Sequence, residues 1–276
     1  MPVSDEKLNE LKKICTQIRR DIVKMIYNAQ SGHPGGALSS VEILVALYHH
    51  IMNHNSNNPN DPARDRFVIS KGHASAVLYT TLASCGYFPK EMLMTFRKLW
   101  SPLQGHPVLQ QPPGVEMTTG SLGQGLSYSI GIALAARIQK LSYRVYCLLG
   151  DGELNEGQIW EAALFAAHHK IDNLIAFIDR NYIQQTGVTE EIIKLDSISE
   201  KFKSFGWHTF EIDGHNIKEV IETVEKAKEI REKPVVIVAR TVKGKGVSFM
   251  ENNVNFHGKA PNEKEFQQAM KELELG

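Results

Sequence analysis

The chain has 276 residues and equal numbers of basic and acidic side chains, 31 of each, so its formal net charge is zero. Apolar residues make up 42% and charged residues 22%, which is typical of a soluble globular protein with a full core. Because no basic excess and no apolar stretch of membrane-spanning length is present, neither nucleic acid nor a membrane is expected as a partner.

Helices and short apolar strands alternate along the sequence. The N-terminal half is predicted to contain helix Ile14–Ala29, helix Val41–Ile51, strand Arg66–Ser70, helix Ala74–Cys85, an irregular segment Ser101–Gly120 and helix Gly125–Lys140. The rest is predicted to contain strand Val145–Leu149, helix Glu156–Lys170, strand Leu174–Ile178, helix Ser197–Ser204, strand Trp207–Ile212, helix Ile217–Arg231, strand Pro234–Arg240, an irregular segment Lys243–Phe256 and helix Glu263–Leu273. This alternation predicts one α/β domain over residues 1–276, with a mainly parallel sheet flanked by helices.

The cellular compartment is indicated by the N-terminus and the cysteines. The first residues, MPVSDEKLNELKK, are charged and have no apolar core, so a secretory signal is not expected. The three cysteines, Cys15, Cys85 and Cys147, are odd in number and share no metal-ligand spacing. We therefore expect a cytoplasmic protein.

The most informative segment spans residues 144–187 and is predicted to form a strand, a helix and a second strand. The first strand stops at Gly150-Asp151-Gly152, and the second leads into Asn181. Because the crossover helix returns the chain to an adjacent parallel strand, Asp151 and Asn181 should be neighbours at the edge where α/β sheets bind ligands. Their oxygens suit Mg²⁺ carrying a phosphate, and the following helix N-terminus suits a diphosphate. An ordinary strand-turn-helix, with glycines serving only the turn, is the alternative.

The segment resembles a known cofactor motif. GDG followed after about thirty residues by Asn is similar to the thiamine diphosphate and Mg²⁺ motif of thiamine-dependent enzymes, and GDGELNEGQIWEA resembles transketolases. Further segments agree with that family, in its order: SGHPGG (31–36), SKGHASAVLY (70–79), GHP (105–107), TTGSLGQG (118–125), RTVKGKG (240–246) and FHGK (256–259). The resemblance thus covers nearly the whole chain and implies the thiamine diphosphate-binding fold, as its diphosphate-binding domain.

The resemblance also implies roles for individual residues. The histidines that would surround the reactive carbon of the cofactor, bind sugar hydroxyls and transfer protons are His33, His73, His106 and His257. The positions that would contact thiamine diphosphate are His73, Gly120, Leu122, Gly152, Asn181, Lys243 and His257. The ligands of Mg²⁺, for which Ca²⁺ or Mn²⁺ could substitute, would be Asp151, Asn181 and the backbone carbonyl of Ile183.

Other roles remain open for some of these side chains. A lone histidine in a loop is more often a solvated surface group, although an imidazole with a pKa of about 6.5 suits acid–base work. A zinc site is not favoured, because the four loop histidines show no ligand spacing. Glu156 and Glu161 match acidic family positions near the subunit interface, but acids in the first turn of a helix are equally natural.

The implied activity is transfer of a two-carbon ketol unit between sugar phosphates, as in the pentose phosphate pathway. In this family a glutamate that activates the pyrimidine ring, and arginines that bind the substrate phosphate, belong to further domains that no segment here matches. We therefore expect the N-terminal subunit of a split transketolase, active only with a C-terminal partner chain. A heterotetramer with two copies of each chain is the expected assembly.

Three other functions remain open. The α subunit of a thiamine-dependent 2-oxoacid dehydrogenase also carries GDG with a later Asn, although the histidine motifs fit sugar hydroxyls better. A transketolase-like enzyme for an unusual sugar phosphate is compatible with Ser121, where many transketolases have Pro, and with Gly35 and Gly36, which replace bulkier residues. A non-catalytic scaffold subunit is disfavoured by the intact Asp151, Asn181 and histidines.

Overall fold

The five strands of the sheet all run in the same direction. The computed structural model describes residues 3–195 and 197–274. In these residues the strands β1 to β5 form one sheet in the order β1-β2-β3-β5-β4. Their bounds are β1 Arg66–Ile69, β2 Val145–Gly150, β3 Leu174–Arg180, β4 His208–Asp213 and β5 Val235–Arg240. All pairings are parallel, which confirms the predicted fold class and brings the carboxyl ends to one edge.

Helices cover both faces of the sheet. In chain order they are α1 Asp5–Ala29, α2 Pro34–Leu38, α3 Val41–Ala46, α4 Ser75–Ser84, α5 Gln124–Ile138, α6 Gly157–His168, α7 Thr189–Ile192, α8 Ile198–Ser204, α9 Ile217–Glu229 and α10 Glu263–Glu272. One apolar cluster joins the sheet to α1, α3, α4, α9 and α10, and a second joins it to α5, α6 and α8. Along β2, Tyr146 and Leu148 enter the first cluster while Cys147 and Leu149 enter the second, because side chains alternate across a strand. None of the described helices is both long and apolar enough to span a bilayer.

Two predicted helices near the N-terminus have different bounds. Helix α1 begins at Asp5 and not at Ile14, because the Ser4 hydroxyl accepts a hydrogen bond from the Lys7 amide (3.2 Å) and caps the helix. The helix predicted over Val41–Ile51 is α-helical only as far as Ala46, and its last residues form a π-helical turn.

The structure also differs from the prediction around the strand ends. Strand β3 continues past Ile178, because Asp179 and Arg180 pair in register with residues of β5. The short helices α2 and α7, and a 3₁₀ turn at Gly152–Asn155, have too few residues for their apolar spacing to be recognised. The segment 101–120 forms neither a helix nor a strand, as predicted, beyond one isolated bridge.

Candidate active site

A cavity of about 510 Å³ opens at the carboxyl edge of the sheet. This volume falls within the usual range for a small-molecule site. All residues assigned to the site by sequence line it: His33, His73, His106, Gly120, Leu122, Asp151, Gly152, Asn181, Ile183, Lys243 and His257. Segments far apart in the chain therefore meet at one place, as the parallel topology requires.

The ends of β2 and β3 bring Asp151 next to Asn181. One carboxylate oxygen of Asp151 accepts the Gly152 amide (2.8 Å), and the other accepts the Tyr182 amide (2.7 Å). Burial, together with the nearby Asp179 carboxylate, raises the pKa of Asp151 to about 6. Arg180 Nη1 also lies 3.3 Å from the second oxygen, so one positive charge already faces this carboxylate. The carboxylate is a suitable ligand for a further cation.

Asp179 fixes the orientation of the Asn181 amide. It is fully buried and accepts hydrogen bonds from Lys71 Nζ (2.5 Å) and Asn181 Nδ2 (2.7 Å). The hydroxyls of Ser39 (2.7 Å) and Thr241 also donate to it. Because the Asn181 nitrogen donates to Asp179, its oxygen is the acceptor; it accepts the Ile183 amide (3.2 Å) and keeps a second lone pair for another partner.

The Glu153 carboxylate fixes the backbone of the glycine turn. Its carboxylate is buried and accepts the amides of Gly150 (3.0 Å) and Gly123 (2.9 Å) as well as the Ser70 hydroxyl (2.5 Å). These bonds join the end of β2 to the start of α5 and the end of β1. Gly152 leaves no room for a side chain, since a Cβ there would lie 2.8 Å from Gln184 Cβ. The hydrogen bonds of Glu153 therefore fix the turn beside the cavity, and its backbone is not covered there by a side chain of residue 152.

The donor set at the strand ends fits a hard divalent cation. It consists of the Asp151 carboxylate, the Asn181 amide oxygen and the Ile183 carbonyl, all of them oxygen ligands suited to Mg²⁺. The Ile183 carbonyl already accepts a hydrogen bond from the ammonium of Lys243 (2.7 Å), so a positive charge is accommodated beside it. Among the described residues, no group of three histidine, cysteine or acidic side chains is arranged to hold a metal ion.

The four loop histidines converge on the cavity. The rings of His33, His73 and His257 lie with their centroids 5.2 to 5.5 Å from one another. His106 arrives from the irregular segment and packs against Gly120, whose φ is +145°. A Cβ at Gly120 would lie 2.8 Å from the His106 ring, so only glycine permits this approach.

Two of the imidazoles lie beside lysines. Burial and the neighbouring Lys71 hold the pKa of His73 well below its usual value. Burial and Lys243 lower the pKa of His257 to about 3. The Lys243 ammonium donates to Nδ1 of His257 (2.8 Å), so this ring carries its proton at Nε2. Both rings are neutral near pH 7 and lie next to cations that suit a diphosphate.

The other two imidazoles lie near Arg97. Its guanidinium donates to Nδ1 of His33 (3.4 Å) and to the Ser31 hydroxyl (3.0 Å). Burial and this charge lower the pKa of His33 to about 4, and they also lower the pKa of His106. Because arginine can only donate, His33 also carries its proton at Nε2, where it can donate to an oxygen.

The sequence analysis missed several residues that hold the site together. Lys71 and Asp179 form a buried ion pair, and each directly follows a strand predicted from the sequence (66–70 and 174–178), which is a signal available in the sequence. Glu153 and Arg97 act through contacts between distant segments and gave no such signal. Of the two interface acids, Glu156 lines the cavity, whereas Glu161 lines a separate depression between α5 and α6.

Comparison with known proteins identifies the family. Residues 11–276 match the family described as transketolase, thiamine diphosphate binding domain. The chain is 44% identical over 269 residues to the 6-deoxy-6-sulfo-D-fructose transketolase subunit SqwG of Clostridium sp. (strain MSTE9), covering 98% of each chain. It is 41% identical over 255 residues to one subunit of the apulose-4-phosphate transketolase of Phocaeicola vulgatus, covering 92% of this chain and 90% of that one.

Transketolases made as one longer chain match as well. The chain is similar to the crystal structure of transketolase from Campylobacter jejuni, with a TM-score of 0.90 and 35% identity, covering 96% of this chain and 42% of that one. It therefore spans about two fifths of that enzyme. The chain belongs to the transketolase family of transferases and corresponds to its thiamine diphosphate-binding domain. The two subunits above are covered over 98% and 90% of their own length by the same match.

Proposed function

We propose that this chain is the cofactor-holding subunit of a two-chain transketolase, which transfers a two-carbon ketol unit between sugar phosphates. The observation that carries the proposal is the convergence of the cation-binding oxygens, two buried lysines and four histidines on one cavity. The family membership gives no support to the alternative of a 2-oxoacid dehydrogenase α subunit. The complete set of polar site residues argues against a non-catalytic scaffold.

The diphosphate end of the cofactor is assigned to the strand ends. Asp151, Asn181 and the Ile183 carbonyl would hold Mg²⁺, with Ca²⁺ or Mn²⁺ as possible substitutes, and Gly152, which carries no side chain, would let the diphosphate approach the turn. His73, His257 and Lys243 lie beside the same place. The backbone at Gly120 and Leu122 would contact the rings of the cofactor. When bound, thiamine diphosphate supplies a carbon that can act as a carbanion toward a carbonyl group.

The chemistry assigned to the chain itself is hydrogen bonding and proton transfer. His33 and His257 carry protons at Nε2 and can donate them to hydroxyl or carbonyl oxygens of a sugar. His73 and His106 are neutral imidazoles in the same cavity and can accept or relay a proton. The depressed pKa values of these histidines would rise when an anionic cofactor and substrate offset the nearby positive charges.

The proposed partner is a C-terminal transketolase subunit that supplies the pyrimidine-binding and C-terminal domains. A pair of chains of each kind is supported by a depression of about 380 Å³ between α5 and α6, which the exposed Phe165 lines. Ile138 of α5 and Leu164 of α6 are also exposed. Exposed apolar side chains of this size are typical of an interface when they form one patch. The free cysteine thiols fit the proposed cytoplasmic location.

The sugar itself has two candidates. Xylulose 5-phosphate is the donor expected from a pentose phosphate pathway enzyme. The relatives covered almost end to end are named for 6-deoxy-6-sulfo-D-fructose and apulose 4-phosphate, which favours a less common sugar as the second candidate.

The decisive experiment measures ketol transfer by the purified chain alone and after addition of a candidate C-terminal chain. A panel of donors including both candidate classes separates the two sugars. We expect no turnover by the chain alone, turnover with the partner, and a mass in light scattering that corresponds to two copies of each chain. Turnover by the single chain would refute the two-chain proposal, and no transfer from any donor in the reconstituted complex would refute the activity.

A further inference from the structure

A buried polar cluster lies behind the loop that carries Lys243, on the side away from the cavity. It joins Arg19 of α1, Glu42 of α3 and His215, which follows β4. The guanidinium of Arg19 donates to both carboxylate oxygens of Glu42 (2.6 and 2.8 Å), and the His215 ring contacts one of them through Nδ1 (2.9 Å). Arg19 and Glu42 are 7% and 8% exposed, and together with the partly buried His215 they line a second cavity.

The cluster holds the loop on both sides of Lys243. The amide of Val242 donates to His215 Nε2 (2.8 Å). Arg19 Nε donates to the Lys245 carbonyl (3.0 Å). Val242, just before Lys243, is thus held by His215, and Lys245, two residues after it, is held by Arg19 of α1.

The hydrogen bonds determine the protonation of His215. A backbone amide can only donate, so Nε2 must present its lone pair to Val242 and the ring proton must lie on Nδ1, facing Glu42. Arg19 and His215 outweigh the effect of burial and hold the pKa of Glu42 below its usual value. His215 is therefore a neutral imidazole that accepts on one side and donates on the other.

Close packing leaves the loop little freedom. The Gly244 amide donates to the Gly35 carbonyl (3.0 Å), and φ at Gly244 is +80°. A Cβ at Gly35 would lie 3.0 Å from Lys243 Cγ, so the lysine stem passes directly over this glycine. At Gly246 a Cβ would lie 2.9 Å from Arg19 Cδ. Lys243 therefore reaches the cavity from a closely packed stretch of backbone.

We infer that His215, supported by Glu42 and Arg19, is a positioning residue that sets Lys243 for the diphosphate end of the cofactor. Its hydrogen bond to Val242 fixes the backbone from which Lys243 reaches the Ile183 carbonyl and His257. The inference rests on the proposed function in one respect, the assignment of Lys243 to the cofactor. It adds that the position of Lys243 is set from outside the cavity, by a residue that does not line it.

Two substitutions at His215 separate the loss of its hydrogen bond to Val242 from the loss of its ring as a packing group. In His215→Gln the side-chain oxygen can take the place of Nε2 and accept from Val242. In His215→Asn the amide nitrogen can take the place of Nδ1 and donate to Glu42, but nothing accepts from Val242. Loss of one such hydrogen bond typically corresponds to about a 2- to 10-fold change in an equilibrium constant. His208→Asn, on β4 and packed against Phe210, is the matched control.

The first measurement is amide hydrogen exchange of residues 242–246 in the full chain without ligands. His215→Asn should speed exchange of this segment, whereas His215→Gln and His208→Asn should leave it near the wild-type rate. Equal exchange in the Asn and Gln variants, whether fast or slow, would overturn the positioning role. This result does not depend on the identity of the cofactor.

The second measurement is calorimetric titration of thiamine diphosphate with Mg²⁺ into the reconstituted complex of this chain with its C-terminal partner. His215→Asn should weaken binding about 2- to 10-fold, and the same substitution should have no further effect in a Lys243→Met background, because His215 acts through Lys243. An undiminished effect in that background would overturn the inference. If the reconstituted wild-type complex does not bind thiamine diphosphate, the proposed function fails, and the exchange data alone decide the role of His215.

Discussion

Replacing Asp179 by asparagine tests the buried ion pair beneath the site. Asp179 is fully buried and Lys71 is 1% exposed, and their charged atoms are 2.5 Å apart. In Asp179→Asn the Lys71 ammonium keeps the Gly36 carbonyl (2.8 Å) and the Ser40 hydroxyl (2.7 Å) but loses its counter-charge. Removing one partner of a buried pair costs about 3–5 kcal/mol, because the other charge remains buried. We expect a loss of that size in the free energy of unfolding.

The pH dependence of this contribution has a definite sign. Burial alone would raise the pKa of Asp179, but Lys71 and the hydroxyls of Thr241 and Ser39 outweigh it and hold the pKa below its usual value. A carboxylate with a depressed pKa stabilises the fold above its unfolded value, about pH 4, and loses that effect as the pH falls further. The difference between wild type and Asp179→Asn should therefore be full at pH 7 and shrink below about pH 4.

Urea unfolding of the full chain, followed by circular dichroism at pH 7, measures the effect. Asp213→Asn, at the exposed end of β4, is the matched control and should change stability by about 0.5 kcal/mol or less. Lys71→Met combined with Asp179→Asn removes both charges and should be more stable than Asp179→Asn alone. A loss no larger than that of the control, or a double variant less stable than the single one, would show that the buried charges are not coupled in this way.

Two further outcomes follow from the site, and a third concerns His49, which lies outside it. Asp151→Ala and Asn181→Ala should each abolish Mg²⁺-dependent retention of thiamine diphosphate while circular dichroism stays unchanged; unaltered calorimetric affinity in both would remove the metal assignment. His106→Ala should lower ketol transfer in the two-chain enzyme by about 10²–10⁴ without changing cofactor affinity, because one proton-transferring group is lost; full activity would contradict the assigned role. Burial and Lys7 lower the pKa of His49 to about 4, so its neutral form contributes stability above pH 6.5 that is lost as the pH falls from about 6.5 to 4. As the pH falls over that range, the urea midpoint of His49→Gln should decrease less than that of the wild type. An equal decrease in both proteins would refute the lowered pKa of His49.

The fold could be predicted from the sequence because its signals are local. The apolar runs at β2 and β3 are short and continuous, as expected for strands buried on both faces, and the helices between them show clear apolar spacing. The errors lie where tertiary contacts decide the outcome. Strand β3 extends through Asp179 because β5 pairs with it, and no local pattern indicates that a charged residue continues a buried strand.

The candidate site was predictable only in part. Asp151 and Asn181 follow neighbouring strands, so topology alone predicts that they meet. The contact of Arg97 with His33, and that of His215 with Val242, join segments whose separation in the chain carries no periodic signal. Such contacts depend on how irregular loops fold over one another, which neither spacing nor composition determines.

The arrangement of the strands also has a consequence for how the chain folds. The cavity is lined by residues that range from His33 to His257, and every strand pairing is parallel, so each pairing requires a long crossover. Contacts of such long sequence separation form slowly, and no partly folded half of the domain would contain a complete cavity. A ligand that binds this cavity therefore recognises only the fully folded chain and stabilises it by mass action. For this chain, supply of the cofactor during synthesis would raise the yield of folded protein as well as its activity.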